Sequence, residues 1–395
     1  SRRRRSLRQH GTMCRNASPI VISIEGYNTA TDNLDTQPHM TQKIHYTNNV
    51  GATLDSIIKR MAPSSVFVIT DSNTATFVLP RLAEQSQIVR TSTQICIPAG
   101  DASKNTDTLQ RVWHALSLAR ASRHALIINV GGGVVSDLGG FAAATYKRGI
   151  SCINIPTTLL GAVDAAVGGK TGINFDGYKN QVGAFYLATD VIVSSTFFDT
   201  LSKSEKLSGY AEMLKHGLLD SDKALRRLMA FDITDTNHDP EELLELLRRS
   251  VAVKEKIVKQ DPTEHGIRKA LNLGHTIGHA FEEMALRRHD PIPHGYAVAR
   301  GLVVECVLSS MLQGFDSTLL HTFAKYVRDT YGVFAVTCDD YPALIDLMRQ
   351  DKKNLNADAI NFTLLRAPGD IVTDATIDPE TIESALDIYR DLMGI

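Results

Sequence analysis

The octet Asn272-Leu-Gly-His275-Thr-Ile-Gly-His279, followed by His294-Gly295, carries the residue types best suited to bond chemistry in this chain. Four apart on a helix, His275 and His279 share one face about one turn from each other, so both imidazoles can converge on a point. Neutral imidazole is the commonest metal ligand and also a proton carrier near neutral pH. Two packed surface histidines are the bland alternative. The pattern is not the zincin motif, because Thr276 stands where that motif needs Glu. Gly274 and Gly278 each cost a helix about 1 kcal/mol relative to Ala, which suits a wall that something approaches closely. If one helix spans residues 268–287, then Arg268, Asn272, His275 and His279 form a polar stripe between apolar neighbours and line a cavity. Glu212, Lys215 and His216 fall within one turn of a second helix, where a solvated ion pair is the ordinary reading.

Phosphate-binding chemistry is suggested elsewhere. Gly131-Gly132-Gly133 follows the apolar run Ala125–Val130 and precedes a helix containing Asp137, which presents backbone N–H groups to a phosphate or pyrophosphate. The spacing is not GxGxxG, since position 136 is Ser, and a tight turn with no ligand fits as well. Asp71 and Asn73, after the run Ser65–Ile69, suit a ribose or an ordinary turn. Gly168-Gly169-Lys170-Thr171-Gly172 is no P-loop, because Asp164 replaces the first glycine that motif requires. Lys170, Lys179 and Arg148 still place cations in a glycine-loosened region, which points to an anionic, phosphorylated substrate.

These residues need elements to hold them. From about residue 20 to 200, short apolar runs (65–69, 125–130, 152–155, 191–193) alternate with helical stretches, which predicts parallel βαβ units with ligands at the carboxyl ends of the strands. Pro19–Ile24 reads as a first strand. Beyond residue 200 amphipathic stretches take over at 204–219, 241–260, 268–287, 295–313, 317–331 and 341–350, with one short strand at 360–365 and a last helix at 379–392. The expected architecture is a Rossmann-like α/β domain over 19–200 followed by a mainly α-helical domain over 201–395. Residues 1–18, rich in Arg, are set apart as a basic leader, expected to be a disordered arm.

At 395 residues the chain is long enough for two cores. A net charge of −2 gives no general attraction to nucleic acid or to anionic membrane. No uninterrupted run of about 18 apolar residues suggests a membrane span. Five scattered cysteines without a CxxC pair point to a reducing, cytoplasmic setting and away from a disulfide framework.

Taken together, Gly131-Gly-Gly-Val-Val-Ser-Asp137, Tyr146-Lys-Arg148-Gly, Pro156-Thr-Thr158, Asp164, Val167-Gly-Gly-Lys170-Thr-Gly-Ile-Asn174 and Lys179-Asn180 resemble the 3-dehydroquinate synthase family. So do Tyr210-Ala-Glu212-Met-Leu-Lys215-His216-Gly, the segment from Arg268 to His279, His294-Gly295 and Asp351-Lys352-Lys353. The resemblance runs in family order over roughly residues 60–390. It implies a carbon–oxygen lyase of the shikimate pathway, usually a homodimer, using NAD and a divalent metal such as Zn2+ or Co2+. Its substrate would be 3-deoxy-D-arabino-heptulosonate 7-phosphate (DAHP), converted to 3-dehydroquinate and phosphate by transient oxidation, phosphate elimination, re-reduction and aldol closure.

By the same resemblance Glu212, His275 and His294 hold the metal. Asp71, Asn73, Asp101, Lys104, Gly132, Gly133, Asp137, Thr157, Thr158, Lys170 and Lys179 hold NAD. Arg148, Asp164, Lys170, Asn180, Lys215, Lys254, Arg268, Asn272, His279 and Lys353 (or Lys352) surround the substrate, with His279 transferring protons. Two positions depart from the family pattern: Tyr296 where Glu is usual, which changes the surroundings of His294, and Asp101 where Glu is more frequent. Competing readings are a sister cyclase acting on sedoheptulose 7-phosphate or glucose 6-phosphate, an iron- or zinc-dependent polyol dehydrogenase, and an inactive homologue serving as a binding protein. Asn272, His279 and Arg268 favour the sugar-acid substrate over the sister cyclases.

Overall fold

Strands that are apolar at most positions, on both faces, must be covered on both sides, and this requirement shapes the first half of the molecule. The computed structural model describes residues 42–350 and 360–395, so the Arg-rich leader, the strand expected at 19–24 and Lys352/Lys353 lie outside the described residues. The strands are β1 (Lys43–Tyr46), β2 (Val66–Asp71), β3 (Thr93–Ile97), β4 (Leu126–Gly131), β5 (Ser151–Pro156), β6 (Lys170–Phe175), β7 (Tyr178–Phe185), β8 (Asp190–Val193), β9 (Ile360–Ala367) and β10 (Asp370–Ile377). Six of them form one parallel sheet in the order β1-β8-β5-β4-β2-β3. Along β4, Leu126, Ile128 and Val130 face the helices Val50–Met61 and Leu79–Gln85, while Ile127 faces the opposite cluster. That second cluster runs on from the sheet into the helices of the C-terminal half.

The order places the next strand after β2 on one side and the one after that on the other. The carboxyl ends of β2 and β4 therefore flank the crevice where such sheets bind ligands. Asp71, Asp101, Gly132 and Thr157 follow β2, β3, β4 and β5, so all four stand on this one edge.

Beyond the sheet, the helix Lys203–Asp220 starts in a reciprocal cap between Ser202 and Glu205. Pro240–Gln260 starts on Asp239 with a proline in its first turn. The helix His294–Gln313 is long and apolar enough to cross a membrane, with a hydropathy of 1.4, but 78 % of that window is buried here. It packs against Lys203–Asp220, His275–Arg287, Ser317–Tyr331, Pro379–Met393 and β9, which explains why it is apolar all round.

Several elements differ from those expected. β1 and β3 were not separable from loops, being only four and five residues long. The region around Lys170 is an antiparallel hairpin of β6 and β7 and not a loosened loop. The expected single strand near 360 is one arm of a second hairpin whose other arm, β10, mixes polar and apolar residues evenly. The helix Asp222–Ala230 had no counterpart in the reading. Most consequential, residues 268–287 are not one helix. A 3-10 turn over Ile267–Asn272 is followed by Gly274 at φ +79°, and the α-helix begins at His275. The four-residue stripe does not exist as a helix face, because the left-handed glycine reorients the chain between Asn272 and His275.

Candidate active site

Helix starts deliver two of the three residues that converge most closely. His275 and His294 are each the first residue of an α-helix, and Glu212 lies in the middle of Lys203–Asp220. Close backbone approach brings these helices together. A Cβ on Gly295 would lie 1.9 Å from the Ser208 carbonyl oxygen, and one on Gly301 would lie 2.2 Å from that of Gly274. Among the described residues, Glu212, His275 and His294 offer donor atoms that all lie within 4.8 Å of one another. Glu212 Oε1 is 3.4 Å from His275 Nε2 and 3.7 Å from His294 Nε2.

Glu212 is fully buried, and neither of its oxygens meets hydrogen-bond geometry with a neighbour, although the Lys215 ammonium lies against Oε2. Burial opposes its charge, but Lys215 and His275 outweigh burial and hold the carboxyl well below the usual range. The second nitrogen of each imidazole is occupied: His275 Nδ1–H donates to the Leu273 carbonyl at 3.1 Å and His294 Nδ1–H to Glu282 at 2.9 Å. Both Nε2 atoms are thereby turned toward Glu212. A buried anion with two imidazole donors in reach fits a divalent ion that accepts nitrogen and oxygen ligands.

Protonation follows from the same neighbours. Burial and the Lys215 charge push His275 down to about 4. For His294 burial works in the same direction, but the carboxylates of Glu212 and Glu282 overcome it and raise the ring to about 9. His279 is exposed; its ring centroid lies 5.4 Å from that of His275 and 5.9 Å from that of His294, beside the converging donors. His216 is buried and turned to Ser250 at 2.8 Å, a structural role.

A short segment after β5 joins this pole to the sheet edge. Gly161–Ala165 packs against Lys203–Asp220 and Pro240–Gln260, and within it Asp164 meets the Lys254 ammonium. The Asp164 carboxyl is held below its usual range because Lys254 outweighs burial. At the edge itself, Gly132 and Gly133 open the helix Gly133–Thr145 with no side-chain cap, and a Cβ on Gly132 would lie 3.0 Å from Thr158 Cγ2. Buried Lys104 donates to Asp137 at 3.0 Å and to Asn180 at 2.6 Å. Burial lifts Asp137 to about 6, with Lys104 opposing. Asp101 accepts from Asn174 at 3.0 Å, and Asp71 caps its own helix through Thr74 N–H at 2.8 Å, beside exposed Asn73. Thr157 N–H donates to Gly131 O at 3.0 Å.

Other expected residues are placed less directly. Lys179 reaches across to Glu282 at 2.7 Å and so touches the partner of His294. Arg268 is 2 % exposed and engages the carbonyls of Gly168 and Pro262. Lys170 pairs with Glu264, which also accepts from Asn272 at 3.4 Å. Arg148 stands apart, exposed where the chain returns to the amino edge of the sheet before β5, opposite the carboxyl-edge residues. Tyr296 packs edge-on against Tyr331 at 5.3 Å and under the Arg300 guanidinium at 5.8 Å, while Glu282 supplies the partner of His294. The sequence reading had overlooked Glu264 and Glu282. Their signals are positional: Glu264 lies four residues before Arg268, and Glu282 three after His279.

Comparison with known proteins bears on what this arrangement serves. Residues 94–208 match the model of the 3-dehydroquinate synthase N-terminal family, and residues 209–354 match its C-terminal counterpart. A 3-dehydroquinate synthase of Parabacteroides distasonis is 45 % identical over 90 % of this chain and 99 % of its own length. One from Pyrococcus furiosus is 40 % identical over 67 % of this chain and 77 % of its own. Among solved structures, a 2-deoxy-scyllo-inosose synthase bound to carbaglucose-6-phosphate, NAD+ and Co2+ superposes with a TM-score of 0.74 at 21 % identity, covering 89 % of this chain and 96 % of that one. A 2-epi-5-epi-valiolone synthase from Streptomyces hygroscopicus, bound to NAD+ and Zn2+, gives 0.73 at 23 %, covering 92 % and 99 %. At these identities the likeness is one of fold.

Proposed function

We propose, from the premise that the chain belongs to the 3-dehydroquinate synthase family, that one centre formed by the sheet edge and the helical pole carries out the family's reaction. The activity is that of a 3-dehydroquinate synthase, a lyase that converts DAHP to 3-dehydroquinate and phosphate. Glu212, His275 and His294 hold the divalent metal, with Zn2+ the first candidate and Co2+ an alternative. Gly132, Gly133, Asp71, Asn73, Asp101, Lys104, Asp137, Thr157, Thr158 and Lys179 hold NAD. When bound, the metal supplies Lewis acidity toward substrate oxygens, and the nicotinamide supplies a reversible oxidation.

The side chains do the rest. Lys170, Lys215, Lys254 and Arg268 offset the charge of a phosphate and a carboxylate, and Asn180 and Asn272 orient hydroxyls. Asp164 fixes the Lys254 ammonium. His279, exposed beside the ligands, gives and takes a proton at its ring nitrogen. Glu264 occupies Lys170 and Asn272 until an anionic substrate competes for them. Holding the reacting atoms in register supplies much of the rate. Arg148, at the far edge, takes no part in this arrangement within one chain.

A homodimer, a cytoplasmic setting and a domain boundary near residue 200 belong to the same reading. Support for the dimer comes from Phe175, Tyr178, Val182 and Phe185, all exposed along the β6–β7 hairpin. Support for the boundary comes from the last strand of the large sheet ending at Val193 and the two family models abutting at 208 and 209.

The observation that carries the metal assignment is the buried Glu212 carboxylate without a hydrogen-bond partner, faced by two imidazole nitrogens. A panel of DAHP, sedoheptulose 7-phosphate and glucose 6-phosphate tests the whole reading. Phosphate release is expected with DAHP alone, to require NAD and to stop with chelator. Turnover of sedoheptulose 7-phosphate without DAHP turnover would replace this reading with a sister cyclase.

A further inference from the structure

His275 and His294 are backed differently. His294 Nδ1–H donates straight to the Glu282 carboxylate. His275 Nδ1–H donates to the carbonyl of Leu273, which belongs to the peptide joining Leu273 to Gly274. The N–H of that same peptide is Gly274 N–H, and it donates to Glu305 Oε2 at 2.6 Å. Glu305 is fully buried, and its other oxygen faces the Ile277 N–H at 3.4 Å. A carboxylate, one peptide and an imidazole thus form a continuous hydrogen-bonded chain ending at Nε2.

We infer that Glu305 is a positioning residue for the metal ligand His275, acting through the Leu273–Gly274 peptide. The inference rests on the metal assignment proposed above. An anion accepting from the peptide N–H polarises the amide, makes its carbonyl a stronger acceptor and thereby strengthens Nε2 as a donor. Glu305 also does the capping that Gly274 cannot, because the N-cap has no side chain and the carboxylate meets the N–H groups of Gly274 and Ile277. It fixes where the helix begins, and His275 is its first residue.

The local sequence permits this. Gly301 and Glu305 lie four apart on one face of His294–Gln313. A Cβ on Gly301 would come within 2.2 Å of Gly274 O and 2.7 Å of Gly278 N, so the two backbones touch there. One turn further along, the Glu305 side chain reaches the start of the neighbouring helix. The same helix therefore presents His294 at its first position and steadies His275 from its twelfth. The two ligands become equivalent in kind, each backed by a carboxylate, one directly and one across a single peptide.

Glu305→Gln tests this, because it keeps the size of the side chain and removes its charge. The readouts are the Zn2+ dissociation constant from chelator competition, the visible absorption of the Co2+-loaded protein, and the unfolding midpoint of the metal-free protein. Zn2+ binding is expected to weaken about tenfold or more, the usual cost of losing an outer partner of a ligating histidine, with an altered Co2+ spectrum. Wild-type Zn2+ affinity and an unchanged Co2+ spectrum, with only a lower unfolding midpoint, would make Glu305 a helix cap and nothing more. If the Gln variant does not fold, Glu305→Asp, which keeps the charge on a shorter arm, is expected to weaken Zn2+ binding; wild-type affinity in that variant overturns the inference. A wild-type protein whose metal binding is indifferent to His275→Ala would instead overturn the metal assignment itself, together with this inference.

Discussion

The two poles of the site handle buried charge in opposite ways. At the sheet edge the groups satisfy one another: Lys104 joins Asp137 and Asn180, and Asn174 joins Asp101. Beside them stand the backbone N–H groups at the uncapped start of Gly133–Thr145. At the helical pole Glu212 is more deeply buried than any of these, yet its oxygens have no hydrogen-bond partner. Lys215 balances its charge, but a buried carboxylate whose lone pairs lack donors still costs stability. The first pole satisfies its own polar groups, and the second leaves the oxygens of Glu212 without hydrogen-bond donors. Satisfied hydrogen bonds, and not the mere presence of charge, distinguish the two poles.

The largest expected effect would break that contrast at the helical pole. His275→Ala is expected to lose bound metal and to slow phosphate release from DAHP by about a thousandfold, the several kcal/mol a Lewis acid supplies. His279→Ala should retain metal, measured by elemental analysis, while losing about a hundredfold in turnover, as removal of a proton carrier does. Equal metal loss in both variants would merge the two histidines into one role.

A second variant probes the self-satisfied pole. Lys104→Met leaves Asp137 without its buried cation and is expected to destabilise the protein by about 3 kcal/mol in urea unfolding. NAD binding should weaken while Zn2+ affinity stays at the wild-type level. Loss of metal binding in Lys104→Met would show that the poles are not separate.

The smallest effect sharpens the boundary between them. Asp261 accepts backbone N–H groups from Gly266, His265 and Arg268 at 2.7, 3.0 and 3.0 Å, shaping the turn that carries Glu264 and Arg268. Burial opposes its charge, but those donors prevail and hold its carboxyl at about 2, below the ordinary 3.8. A carboxylate depressed in the folded state adds stability above its unfolded value, and that stability disappears as pH falls through the folded value. Asp261→Asn is therefore expected to lower the unfolding midpoint near neutral pH, with the gap to wild type closing between pH about 4 and about 2. A gap independent of pH would assign the effect to turn geometry alone.

Much of this was legible before any coordinates. Apolar-rich runs such as Leu126–Val130, interrupted only by Asn129, announce strands covered on both faces, because both side-chain directions are then apolar. Short strands such as β1, the arm β10 and the hairpin around Lys170 escaped, since their residues are held by pairing with another strand and not by a local period. The ordered motifs placed Glu212, His275 and His294 in one set. They could not say that Glu282 meets His294 or that Glu305 meets the peptide before His275.

Residue type and local spacing determined the chemistry on offer: imidazoles four apart, glycines where phosphate approaches, lysines for an anion. Those properties belong to single side chains and to the backbone freedom of a few positions. Tertiary structure decided which of them meet. The break at Gly274, the backbone contact at Gly301 and the meeting of Glu282 with His294 across 12 residues of chain are settled by helix crossings. Such crossings depend on the packing of the whole core and leave no period in the sequence.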